Sequence, residues 1–260
     1  MTPSDKSLKD LPPLRIALSH PDWLVVEKPA NVLVHPTKPD GTPTLWHQLQ
    51  EAFPGEALAL INRLDRETSG LVLASRHSGA ASTLGKMTMR REIEKEYLVL
   101  CQGRPSDSGT IDAPLDRIGK RAKSVIYLKQ GIHPEGYPAR THYLRLETRT
   151  NEQSLPISLL RVRLETGRLH QIRVHLSSIG HSVIGDKIYG SDDNCYLRFI
   201  ETGWTEELAQ ILWLPHHALH AEALRFQWKE MAVNCVSVMP EDLRAFWEKL
   251  SPERAASENK

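Results

Sequence analysis

Short apolar runs of strand length, broken by polar turns, recur along this chain more often than helix-period stretches, and the two kinds do not alternate regularly. "LVVEK", "GLVLAS" and "EYLVLCQG" carry continuous apolar runs, the signature of strands buried on both faces. "RTHYLRLET" and "SLLRVRLET" alternate apolar with polar residues, the mark of half-buried strands. Helical spacing is rarer. "TPTLWHQLQEAF" offers Thr44 as an N-cap with Leu45 and Leu49 on one face, and "SGAASTLGKMTMRREIEK" carries basic residues towards its C-terminal end. "HQIRVHLSSIG" places Ile172, His175, Leu176 and Ile179 on one side and ends at Gly180, and "MPEDLRAFWEKL" is an amphipathic terminal helix. A doubly wound sheet needs regular strand–helix alternation, which is missing. The pattern predicts an α+β fold, an extended mixed, mainly antiparallel β-sheet with flanking helices. "DWLVVEKPANVLVHP" reads as two strands around a Lys-Pro bend.

A chain of 260 residues can bury a full-sized core. Residues 1–14 are expected to be a flexible leader, 15–235 the main domain, and 236–260 a C-terminal helix and tail. No apolar run approaches the ~20 residues that span a bilayer, so no membrane partner is expected. The polar N-terminus lacks the apolar segment of a signal peptide. Cys101, Cys195 and Cys235 lie far apart with no C-x-x-C pair, which fits a reducing cytoplasm. Nothing demands more than a monomer. The net charge of +1 does not decide for or against nucleic acid, since a local basic face is what matters. Basic residues do concentrate, in "KMTMRR" and in "DRIGKRAKSVIYLK", the second within an expected exposed hairpin. Either run alone fits a solvated face; together they imply a basic patch of the kind backbone phosphates need.

"INRLDRETSG" sets Asp65 between Arg63 and Arg66, next to a strand. On its own, Asp65 fits a turn aspartate accepting a local hydrogen bond at least as well as a reacting carboxylate. In "LETGRLHQIRVHL", Arg168 and Arg173 bracket the start of a helix, and Arg173 neighbours the apolar Ile172 and Leu176. A cation there needs compensation, from Asp65, from a structural acid such as Asp186, or from backbone carbonyls. Tyr97 opens an apolar strand, an ordinary core position unless it faces Asp65. His170 and His175, and His216 and His220, lie five and four residues apart, but no H-E-x-x-H or zinc-type cysteine spacing accompanies them, so no metal is expected.

Taken together, "NRLDRETSGLVL", "KEYLVLCQG", "LETGRLHQIRVHLSSIGHSVIGDKIYG" and "LHAEALRF" resemble, in order and spacing, the RluA-type pseudouridine synthases, and "VVEKPANVLVHP" is similar to their upstream Lys-Pro motif. The resemblance covers about residues 16–230. It implies the pseudouridine synthase catalytic fold, and an isomerase that turns uridine in tRNA or rRNA into its C-glycoside isomer without cofactor or metal. It implies further that Asp65 is the catalytic aspartate, that Tyr97 lies under the base, and that Arg173 pairs with the aspartate. Arg63 would fill the gap left by a flipped nucleotide. Asn62, Arg168 and Ile172, inside the matched motifs, are expected at the substrate or RNA. Asn62 stands where the commonest motif has histidine. The short leader resembles the compact form without an S4 domain, so RNA choice is expected to come from the basic segment 116–129, through Arg117, Lys120, Arg121 and Lys123. A non-catalytic RNA-binding module of the same fold is the alternative.

Overall fold

A computed structural model describes residues 8–37, 41–190, 192 and 194–252. Half of the expected leader (1–7) and the end of the expected tail (253–260) lie outside the described residues. In chain order the strands and helices are β1 (Arg15–Ser19), β2 (Trp23–Lys28), α1 (Leu45–Ala52), β3 (Ala59–Leu60), β4 (Ser69–Ser75), α2 (Ser78–Met89), β5 (Glu94–Gln102) and β6 (Ser108–Asp112). There follow β7 (Leu115–Arg117), β8 (Gln130–Ile132), β9 (Arg140–Thr150), β10 (Pro156–Leu164), α3 (Gln171–Ser178), α4 (Asn194–Thr202) and α5 (Glu206–Leu212). The chain closes with β11 (Leu219–Trp228), β12 (Met231–Val236), α6 (Glu241–Lys249) and β13 (Ser251–Pro252). The mixed, mainly antiparallel α+β class expected from the sequence is the one observed.

The chain forms two compact units, residues 1–96 with 220–238, and residues 97–219 with 239–260. In the first, β2 pairs antiparallel with β1 and with β4, and β11 joins β4 in parallel, with His220 opposite Ser69 and Ala221 opposite Gly70. β12 returns along β11 as a hairpin. Alternate residues of β2 and β4 feed two cores. Trp23, Val25, Leu71 and Leu73 pack with Ala80, Leu84 and Met87 of α2, while Leu24, Val26, Val72 and Ala74 pack with Leu45 and Leu49 of α1. Both faces are covered, which is why these strands read as unbroken apolar runs.

In the second unit β9 pairs antiparallel with β10, β6 and β13. Helix α6 lays Leu243 and Trp247 against Leu100 and Ile157. The β7–β8 ribbon is the expected hairpin, and Leu115 and Ile126 anchor it on Val174 of α3.

Two expectations fail for local reasons. The run Val32–Val34 makes no strand; its Leu33 and Val34 carbonyls instead accept the Leu45 and Trp46 amides (2.9 and 3.0 Å), satisfying donors that the first turn of α1 leaves open. Helix α2 stops at Met89 rather than running through Lys95, because Arg91 takes a left-handed conformation (φ 61°) and Glu94 already belongs to β5.

Candidate active site

Asp65 sits four residues before β4, on a turn closed by the Thr68 amide donating to the Asp65 carbonyl (3.1 Å). Its side chain is partly buried, whereas Arg63 and Arg66 on either side are exposed. Two groups hold this turn from below. Lys28, at the end of β2 and 1% exposed, donates from Nζ to the carbonyls of Pro29 (2.8 Å), Val32 (2.8 Å) and Arg66 (3.0 Å). Three carbonyls match the three donors of an ammonium. Burial lowers the Lys28 pKa to about 7, opposed by the negative charge of Asp65, while Arg66 lowers it further and Glu67 opposes that. Nothing in the sequence singled out Lys28 beyond its place in the Lys-Pro motif.

Asn62 is the second. Its Nδ2 donates to the Leu71 carbonyl (3.2 Å) and its Oδ1 accepts the Leu73 amide (2.7 Å). Asn62, expected at the substrate or RNA, is buried with its amide committed to the β4 backbone, and it fixes where the Asp65 turn leaves the sheet. Behind the turn, Ser69 Oγ and His220 Nδ1 lie 3.0 Å apart across the β4–β11 pair. Gly70 has φ +112°, and a Cβ there would stand 2.3 Å from the Ala221 carbonyl oxygen, so only glycine lets the strands meet.

The remaining expected residues belong to the second unit. Tyr97 is 7% exposed on β5. Arg173, on α3, is buried and gripped in a fork by Asp186, Nε to Oδ2 at 2.6 Å and Nη2 to Oδ1 at 2.8 Å. Of the carboxylates left open by the sequence, Asp186 is the one observed on Nε and Nη2. Asp186 also accepts the Ile188 and Tyr189 amides (2.9 and 3.0 Å). Burial alone would raise the Asp186 pKa, but the Arg173 charge and hydrogen bonds outweigh it and hold the carboxyl well below its usual range. The Tyr189 ring lies 5.1 Å from the Arg173 guanidinium, and its hydroxyl accepts the Gln130 amide (2.8 Å) and lies 2.8 Å from His170 Nδ1. Asp186 and Tyr189 are thus the positioning groups for Arg173; the sequence offered Asp186 as a partner for that cation, and nothing in "GDKIYG" pointed to Tyr189.

Ile172, expected at the substrate or RNA, is buried in α3. Arg168 is exposed, donates from Nε to the Pro138 carbonyl (3.2 Å) and lies 5.5 Å from the Tyr137 ring. Lys120, Arg121 and Lys123 are exposed on the β7–β8 ribbon, with Lys120 (2.8 Å) and Arg121 (3.3 Å) tethered to Asp116; Arg117 is partly buried. The histidines have separate partners: His175 Nδ1 meets Thr141, His216 Nε2 meets Asp242, and His220 meets Ser69. A hollow of about 590 Å³, lined by His20, Glu56, Arg76 and His77, lies beyond the opposite end of β4 from Asp65. Its Arg76 is already paired with Glu56.

The profile of the RNA pseudouridylate synthase family matches residues 22–178. The chain belongs to the RNA pseudouridylate synthase family. This is the family that the RluA-type resemblance of its motifs implied. An uncharacterized RNA pseudouridine synthase of Chloroflexus aurantiacus is 41% identical over 63% of this chain and 50% of its own length. Ribosomal large subunit pseudouridine synthase D of Yersinia pestis is 33% identical over 89% of this chain and 69% of its own length. The chain thus spans about half to two thirds of the length of these curated relatives. Among solved structures, human RNA pseudouridylate synthase domain containing 1 superimposes with a TM-score of 0.70 at 26% identity, covering 95% of this chain and 91% of that one. No helix among the described residues is long and apolar enough to cross a membrane.

Proposed function

We propose that the protein isomerises uridine to pseudouridine in RNA, with Asp65 as the carboxylate that attacks the ribose or acts as base while the N1–C1′ bond breaks. The freed uracil turns, C5 bonds to C1′ and displaces the Asp65 oxygen where that has bonded to the sugar, the C5 proton leaves and N1 gains one, so atoms balance without any cofactor. The observation that carries this reading is the partly buried carboxylate of a family member, on a turn tied down by Lys28 and Asn62. A reacting group must be held in place before the substrate arrives. In this reading Tyr97 supports the base, and Arg173, held in orientation by Asp186, is the cation that keeps Asp65 ionised. Arg63, exposed beside Asp65, replaces the flipped nucleotide in the stack, and Arg168 with Arg117, Lys120, Arg121 and Lys123 meets backbone phosphates.

The relatives named for the ribosomal large subunit direct the first test to that RNA, with tRNA beside it. Purified protein is incubated with unmodified large-subunit rRNA and tRNA transcripts, which are then digested to nucleosides and separated. Pseudouridine forming in proportion to enzyme and time, at one or a few mapped positions, is expected. Tight binding to these transcripts with no pseudouridine would favour the non-catalytic RNA-binding module.

A further inference from the structure

The ribbon between β7 and β8 exposes aromatic and aliphatic side chains that a solvated basic loop has no need of. Ile126 is buried among Leu115, Val174 and Ile188, and this anchor turns its neighbours outward, Val125 73% and Tyr127 72% exposed. The loop is held by backbone bonds, Lys129 N to the Ile126 carbonyl (3.1 Å) and Ile118 N to the Lys129 carbonyl (3.0 Å), so the ring is displayed on a fixed support. The Arg117 guanidinium lies 4.3 Å from the Tyr127 ring centroid, and Arg117 Nε is buried with no hydrogen-bond partner among the described residues. That cation backs one face of the ring and leaves the other to solvent. Residues 115–137 carry five Lys or Arg side chains against two carboxylates, in a chain whose net charge is only +1. An open aromatic face beside a local excess of cations matches a flat, uncharged base joined to phosphates; an apolar protein partner would leave those cations unmatched.

We propose that Tyr127 is a stacking platform for an unpaired RNA base, backed by Arg117, with the flanking phosphates reaching Lys120 and Lys123. This rests on the reading of the protein as an RNA-directed enzyme, and adds to it a contact that selects for unpaired nucleotides near the target. The platform recognises a base by its face, so it is tolerant of sequence, whereas phosphate contacts alone would not separate loop from duplex.

The test measures binding of a fluorescein-labelled RNA stem-loop with a seven-nucleotide unpaired loop, and of a fully paired duplex of equal length, across a potassium chloride series. Tyr127→Ala is expected to weaken stem-loop binding roughly 5- to 100-fold, the range for loss of one stacked base. Duplex affinity and the salt slope should stay unchanged, and Tyr127→Phe should bind as wild type. Lys123→Gln should instead flatten the slope by about 0.7–0.9 on both RNAs. Wild-type binding of the stem-loop by Tyr127→Ala would overturn the platform and leave the patch to a protein partner, as would an equal loss on both RNAs. If such a variant still forms pseudouridine, the catalytic reading survives that failure. If the wild-type protein binds neither RNA, the RNA reading falls, and the platform with it.

Discussion

Lys28 has an unusual combination of near-total burial, three carbonyl acceptors and a carboxylate on the turn above it. Its pKa is about 7 in the folded chain, against about 10.5 in an unfolded one. The unfolded chain therefore binds one more proton between those values, and stability from this group rises as pH climbs from 7 towards 10.5. The stability that wild type holds over Lys28→Met is expected to grow by up to about 1.4 kcal/mol per pH unit in that window. Urea unfolding of both proteins at pH 6, 8 and 9.5 measures it; a difference that does not change with pH would contradict a buried, titrating lysine. Such a role was illegible from "EKPANV", because a lysine between polar neighbours gives no sign of where its ammonium goes. Asn62 is similar, since only the coordinates show both ends of its amide bound to β4. Asp65 was singled out through its setting in a family motif, while its neighbours' exposure was not foreseen.

At the scale of elements, the approach of β4 to β11 depends on one residue without a side chain. Gly70→Ala would drive a methyl group into the Ala221 backbone, within 2.3 Å of its oxygen, at a φ of +112°. Neither strand can yield without moving the start of β4, so a loss of more than about 4 kcal/mol is expected, among the largest seen for single substitutions. Gly41→Ala is the control: φ is +72° but nothing among the described residues lies within 4 Å, so the left-handed backbone sets the cost, about 1–2 kcal/mol. Thermal melting of the two variants compares them, and equal losses would show that the strand contact is not the constraint. Elements were readable where burial left a continuous apolar run, as in β4 and β5, or an alternating or helical period, as in β9, β10 and α3. Strand β12 escaped notice because its turn carries Lys229 at φ 54° instead of the glycine or asparagine that marks a hairpin. Helix α4 buries only Cys195 among its residues, too little to give an apolar stripe.

For the whole molecule, the class of fold followed from counting apolar runs, and the family from motifs in order. The division into two compact units did not, because β5 and β11 each cross from one unit to the other without any change in composition. Of the residues named for the proposed reaction, Asp65 belongs to the first unit and Tyr97 and Arg173 to the second. Arg173 is a buried cation whose Asp186 partner is worth about 3–5 kcal/mol against removal, so this residue of the proposed reaction is fixed by packing. The account depends most on the carboxylate at position 65, and its most direct test is Asp65→Asn. Assayed beside wild type on an RNA that wild type modifies, the variant is expected to bind that RNA within a few-fold of wild-type affinity and form no pseudouridine. Pseudouridine produced by Asp65→Asn at the wild-type rate would contradict the central claim.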